Sequence, residues 1–395
     1  MIRLASLLVL AAAGACVLQL GASAAPGPLQ GSITSTDRSW VCKGPVDLDS
    51  VTVTMTPASA ATKADAIRLQ SGCTGRIGRV EVTTSIADGI KVSYGVHDLT
   101  IGGGRIRCLA KLPVLHQDAI QVMGGSKITM TGLILDCGRE SDTLINSNLF
   151  VNKAGGSTDP PTDVVCDSCV LGSAAAHTVS IQDSVRSGVA GSTVCPARFA
   201  KQTVAIGAAA VDPVNVGNRV GPCAGPLLTV VAAPDAVTFG QPVVLTGWID
   251  APAPDPQPQV TVNAGDAPVA AVSPSDGAWQ LVVHPGVATN YTAEAGGATS
   301  PVASVQVRPR LLLQLRKGLL VGSALAGRSL GGRAVALELH QGGSWVAIGR
   351  YTLGPKSTVT IKPRLTSLPG RVRLSIGPTP GYLASVSPSV RVPSA

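Results

Sequence analysis

The sequence predicts an all-β chain, a parallel β-helix followed by two β-sandwiches. Three observations carry this. Cys108, Cys137, Cys166 and Cys195 recur at steps of 29 residues. A second column, Asp65, Asp88, Asp118, Asn148 and His177, precedes apolar pairs at steps of 23, 30, 30 and 29. A fixed period of this length, built from short apolar runs and Gly turns, marks a solenoid. The third observation is the content of each unit. Ile120, Val122, Ile128, Met130, Leu133 and Leu135 alternate at period two around Gly124-Gly125, which excludes helical repeats and reads as short strands.

Residues 1–25 open with Arg3, continue apolar from Leu4 to Leu20 and end in Gly21-Ala-Ser-Ala-Ala25. This is the pattern of a cleaved secretory leader. No later run reaches the roughly 20 apolar residues of a membrane span, so the expected location is extracellular. Eight cysteines follow: Cys42, Cys73, Cys108, Cys137, Cys166, Cys169, Cys195 and Cys223. In an exported chain an even number reads as disulfides. The rival for Cys166-Asp-Ser-Cys169 is a metal site, but a second ligand pair is missing and the period claims Cys166 as a stacked position. Neighbouring coils stack about 4.8 Å apart, within the Cα window of a disulfide. The expected pairs are Cys108–Cys137 and Cys42–Cys73, with pairing among the other four open.

Residues 26–41 read as a polar leading segment with Trp40 capping the solenoid, which fills residues 26–225. Candidate strands are Ile67–Leu69, Ile90–Val92, Ile120–Val122, Leu149–Val151, Val179–Ile181 and Val204–Ile206, and on a second face Val80–Val82, Leu99–Ile101, Ile128–Met130 and Val164–Cys166. Gly72, Gly95 and Gly124-Gly125 sit at corners that need φ > 0. The longest insertion, Gly155 to Pro161, follows Asn148. Cysteines stop at Cys223 and a Pro/Ala-rich run follows, which puts a boundary near residue 226. Short strands separated by turns then argue one sandwich over 226–308 and another over 309–395. In the last, Arg316, Lys317, Arg328, Arg333, Arg350, Lys356, Lys362, Arg364, Arg371 and Arg373, among others, face the single acid Glu338. The net charge of the whole chain is +8 and aromatics are 3% of residues. So few aromatics leave little for base stacking, so nucleic acid is not an expected partner.

The stretch His116-Gln-Asp-Ala-Ile-Gln-Val-Met-Gly-Gly125, with Ile128-Thr-Met-Thr-Gly132 and Cys137, resembles the secreted right-handed parallel β-helix proteins of the pectate-lyase-like superfamily. The sandwiches resemble bacterial Ig-like or fibronectin-like modules. The resemblance covers roughly residues 42–225 and implies a polysaccharide-active protein, of which a lyase on uronate-containing glycan is one form. On that implication His116 and Asp118 are the catalytic candidates, and Asn146, Asn148, Lys153 and Arg186 the substrate-binding ones.

The residues themselves keep two readings open. A short polar side chain at each strand start accepts corner N–H groups, so the aspartate column is structural; alternatively it is a catalytic or cation-binding ladder. A catalytic acid is needed once, which favours structure for Asp65 and Asp88. His116 interrupts the repeat, where an imidazole beside Asp118 is either a base or a plain surface histidine. Lys153 and Arg186 are cations suited to a uronate carboxylate or ordinary solvated charges. No cofactor motif is present, and calcium stays open as a ligand of the column. The alternative to an enzyme is a monomeric, non-catalytic envelope or matrix protein whose basic tail binds anionic cell-wall polymer.

Overall fold

The computed structural model describes residues 28–56, 65–84, 87–108, 117–137, 145–155, 159–174, 176–198, 202–221, 223, 225–250, 257–362 and 370–393. Residues 1–25, where a leader is expected, and His116 and Arg364 lie outside the described residues. The regular structure described is all strand.

Residues 29–220 wind into coils that feed two parallel sheets. One has seven strands, Trp40–Cys42, Ile67–Leu69, Ile90–Val92, Gln117–Val122, Ile145–Val151, His177–Ile181 and Val204–Ile206, neighbours in space in the order of the sequence. The other has twelve, from Leu29–Thr36 through Pro45–Thr54, His97–Cys108 and Ser126–Asp136 to Val214–Val216 and Arg219–Val220. The alternation puts Ile67, Leu69, Ile90, Val92, Ile120, Val122, Leu149 and Val151 inside, each no more than 1% exposed. Leu99, Ile101, Ile128, Met130 and Val164 meet them from the other sheet in one continuous core. β-branched and aliphatic residues suit such stacked, covered strands.

Two expectations change here. Residues 26–41 are more than a polar leader: Leu29–Thr36 is itself a strand, paired in parallel with Pro45–Thr54, because Ile33 in its alternating pattern turns toward the core. Trp40 lies in the seven-stranded sheet opposite Ile67. The 29-residue cysteine period is also not one stacked column. Coil length in the larger sheet is 29 residues from Leu99 to Ile128, then 36 from Ile128 to Val164, 23 from Val165 to Gly188 and 26 from Gly188 to Val214. Only the first step matches the period, so Cys108 meets Cys137, while Cys166 falls opposite Met130. The four disulfides are Cys42–Cys73, Cys108–Cys137, Cys166–Cys169 and Cys195–Cys223. The third closes a corner; the others bridge coils.

From Leu227 the strands pair antiparallel, except that Ala236–Thr238 runs parallel to Ala303–Arg308. Leu227–Leu228, Val231–Ala233, Val243–Asp250 and Ala278–Val283 form one sheet, faced by a six-stranded sheet around Val260–Ala264, Thr289–Ala295 and Ala303–Arg308. After Arg310 a three-stranded sheet (Arg310–Arg316, Leu319–Leu325, Thr358–Ile361) faces a sheet containing Ala334–Gln341, Ser344–Thr352, Gly370–Ile376, Ser385–Val386 and Val390–Val392. One apolar core runs through both antiparallel parts, from Leu228 to Val392.

The coils join the middle part through Trp248, which is 5% exposed in a cluster with Ile134, Val170, Cys195 and Leu227. The guanidinium groups of Arg79 and Arg105 lie 5.3 and 5.7 Å from its ring centroid. Arg107 grips the buried Asp250, with Nε 3.1 Å from Oδ2 and Nη2 on Oδ1. Gly132, at φ 65°, leaves room for Val231 against the coil face. Among the described residues no helix is long and apolar enough to cross a membrane.

Candidate functional site

The aspartate column lies along one edge of the seven-stranded sheet, just before the inward-facing pairs. Its chemistry is a relay between carboxylates and backbone. Asp88 Oδ1 accepts the Asp118 N–H at 2.9 Å, and Asp118 Oδ1 accepts the Ser147 N–H at 2.8 Å. Asp65 likewise accepts the Asp88 N–H. Each carboxylate therefore satisfies a corner N–H of the next coil, which would otherwise be buried without a partner.

Burial sets the electrostatics. Asp88 is 5% exposed and Asp118 fully buried. Loss of water pushes Asp88 up to about 6; the Asp65 charge adds to this, while the Asp118 N–H and Lys91 oppose it. Burial, then the Asp88 charge, raises Asp118 well above the usual carboxylate range, against hydrogen bonds from Ser147 and Asn146. Asp65 is raised by burial too, tempered by Lys91 and Arg68. Cations three residues on approach the first two members, Arg68 at 3.7 Å from Asp65 and Lys91 at 3.7 Å from Asp88. Asp118 has Gln121 in that place, with Nε2 at 3.4 Å.

Of the sequence-derived candidates, the structure brings Asp118 and Asn146 together. Asn148 is elsewhere. A register shift between Ile145 and Ser147 puts Ser147, not Asn148, opposite Asp118, and His177 follows Ser147. The Asn148 side chain turns inward, fully buried, accepting the Cys137 N–H at 2.9 Å and donating to the Gly172 carbonyl. It ties one sheet to the other. Lys153 pairs with Asp183 at 2.8 Å. Arg186 makes a two-pronged contact with Asp163, 2.6 and 2.8 Å, whose hydrogen bonds hold the Asp163 carboxyl below its usual range. Both cations are already matched by acids from other coils. Among the described residues no group of three or more His, Cys, Asp or Glu is arranged to hold a metal ion.

Sequence reasoning did not single out two further arrangements. A cleft of about 560 Å³ lies where the coils meet the middle part, lined among others by Arg79, Gly103, Thr246, Trp248 and Gln280. Trp248, one of four tryptophans, was the available signal. The second is a cross-strand cluster at Glu338, Trp345 and Arg373. Arg373 Nε lies 2.6 Å from Glu338 Oε2, and its guanidinium stands 4.3 Å from the Trp345 ring centroid.

No family model and no curated protein matches the chain. Similar solved structures include the Yersinia pseudotuberculosis adhesin InvE, at 12% identity over 43% of this chain and 61% of that one, TM-score 0.24. A Ca2+-stabilized adhesin that helps an Antarctic bacterium reach out and bind ice matches at 13% identity over 46% of this chain and 51% of that one, TM-score 0.18. The fibronectin(III)-like modules of Clostridium thermocellum CbhA match at 16% over 43% and 95%, TM-score 0.18. The chain spans less than two thirds of either adhesin chain, and likeness at this level carries no argument about activity.

Proposed function

We propose that this is an exported, non-catalytic envelope or matrix protein: a right-handed parallel β-helix over 26–225 carrying two Ig-like sandwiches, 226–308 and 309–395. The last holds anionic cell-wall polymer. The observation that carries this reading is the unneutralised charge of the last part. Its one acid, Glu338, is taken by Arg373, and the remaining cations have no acid of their own part to pair with. A field of one sign attracts polyanions and is screened by salt. Four disulfides and the apolar leader support export. The aspartate column supports a scaffold role, since its carboxylates accept backbone N–H groups and Asp88 and Asp118 are buried.

A second reading keeps a lyase on uronate glycan, with His116 moving the proton, Asp118 orienting it, and Asn146 holding a sugar hydroxyl. Its supporting observation is the raised pKa of Asp118 with the Asn146 amide on it. One experiment separates them. The mature chain is passed over immobilised polygalacturonate while the same polymer is followed in solution at 235 nm. The first reading expects retention at low salt, release between about 0.15 and 0.5 M, and no absorbance rise. A rise abolished by His116→Ala establishes the lyase; no retention at low salt sinks the binding role.

A further inference from the structure

The outer face of the sheet made by Ala334–Gln341, Ser344–Thr352, Gly370–Ile376 and Val390–Val392 concentrates the charge of the last part. Strand alternation sends Val335, Leu337, Leu339, Val372, Leu374, Ile376 and Val392 into the core. Their neighbours Glu338, Arg371, Arg373 and Arg391 face outward, and pairing with Ala336 and His340 puts Arg350 and Trp345 on the same face. The register sets Arg371 directly opposite Arg391, Arg373 opposite Glu338, and Arg350 opposite Ala336.

Glu338 cannot balance this face. Burial raises its pKa, but hydrogen bonds from Ser375 and Arg373, with the Arg373 charge, outweigh that and hold it ionised. Both carboxylate oxygens are occupied, by Arg373 and by Ser375 at 2.6 Å each. Arg350, Arg371 and Arg391 form no ion pair among the described residues, and all three are exposed. Like charges directly opposite on adjacent strands repel. Solubility alone would be served by cations spread over the surface, without an Arg371–Arg391 pair facing each other. A carboxylate settling between two such forks turns that repulsion into two charge-assisted contacts.

At the end of the row Trp345 pairs with His340, ring centroids 4.9 Å apart, with Arg373 stacked over the indole. Partly exposed rings beside guanidinium groups give a sugar both an apolar surface and an anion contact. The face is an open sheet rather than an enclosed pocket, which suits an extended polymer.

We propose that this face is a binding site for a linear glycan bearing carboxylates, with Arg371, Arg391 and Arg350 as its anion contacts and Trp345 at its edge. It rests on the reading that the last part holds anionic polymer, and names the place and the ligand class. The test uses the mature full-length chain and polygalacturonate at low salt. Arg350→Ala/Arg371→Ala/Arg391→Ala should weaken binding by at least about tenfold. Arg310→Ala/Arg316→Ala/Lys356→Ala removes the same charge elsewhere and should weaken it by no more than about threefold. Arg371→Lys/Arg391→Lys keeps charge and fold but loses the planar fork, and should fall between the two. Methyl-esterified polymer should not bind. Equal losses in the two triple variants, or an unchanged double Lys variant, overturn the site while leaving polyanion binding intact. Tighter binding of inorganic polyphosphate than of polygalacturonate overturns the carboxylate class. An unmodified chain that binds no polyanion overturns both readings together.

Discussion

Asp88 is held near 6 by burial, against an ordinary value near 3.9 in an unfolded chain. A carboxyl whose folded value is raised binds its proton more tightly when folded. Its favourable contribution is therefore complete below pH 4 and is lost as pH rises to about 6, a loss of about 3 kcal/mol. Asp88→Asn keeps an acceptor for the Asp118 N–H and cannot ionise. It should gain about 1–3 kcal/mol over the unsubstituted chain above pH 6 and match it below pH 4, read from urea unfolding across that range. Asp88→Ala removes the acceptor as well and should lose about 1–3 kcal/mol at low pH, where the charge no longer matters. An Asn variant no more stable than the unsubstituted chain at pH 8 would contradict a buried, ionising role. The recurrence of Asp65, Asp88 and Asp118 was legible because the same N–H needs the same acceptor in every coil. Asn148 was misplaced because the irregularity at Ile145–Ser147 slips the register by one, and one residue is enough to turn a side chain to the other face. The partners of Lys153 and Arg186 were not legible, since Asp183 and Asp163 come from coils 30 and 23 residues away.

At the scale of the element, strand positions were readable and coil lengths were not. Ile67–Leu69, Ile90–Val92 and Val204–Ile206 stand where the alternation puts them. Coils of 23 to 36 residues keep the same inward pairs, so the strand pattern does not fix the number of residues between strands. This is why a strict 29-residue cysteine spacing predicted one bridge and not the next. The bridges should also differ in weight. Opening Cys108–Cys137, which closes 29 residues, should cost about 3–4 kcal/mol in the chain-entropy account, and opening Cys166–Cys169, which closes three, under about 2. Paired Cys→Ser variants compared by denaturant midpoint check the order, and a larger loss at Cys166–Cys169 would reverse it.

For the whole molecule the decisive contact is Trp248, held between Arg79 and Arg105 beside the Arg107–Asp250 pair. Nothing local in the sequence announces it, because the arginines and the tryptophan are some 140 to 170 residues apart and meet only after both parts have formed. We expect the coils and the middle part to melt together in calorimetry. Trp248→Ala, losing about 3–5 kcal/mol of packing, should split that into two transitions. A single unshifted transition in the variant would mean that the junction does not couple them.

The bridges between coils have a mechanical consequence. Hydrogen bonds between stacked strands run along the axis of the stack, so tension along that axis opens coils one after another, like a zipper, at low force. Extension stops wherever a disulfide spans neighbours. The 29 residues behind Cys108–Cys137 represent about 100 Å of slack that pulling cannot release, and the loops behind Cys42–Cys73 and Cys195–Cys223 are locked in the same way. A chain anchored through its last sandwich and loaded from its other end would lengthen in the unbridged coils and hold firm in the rest.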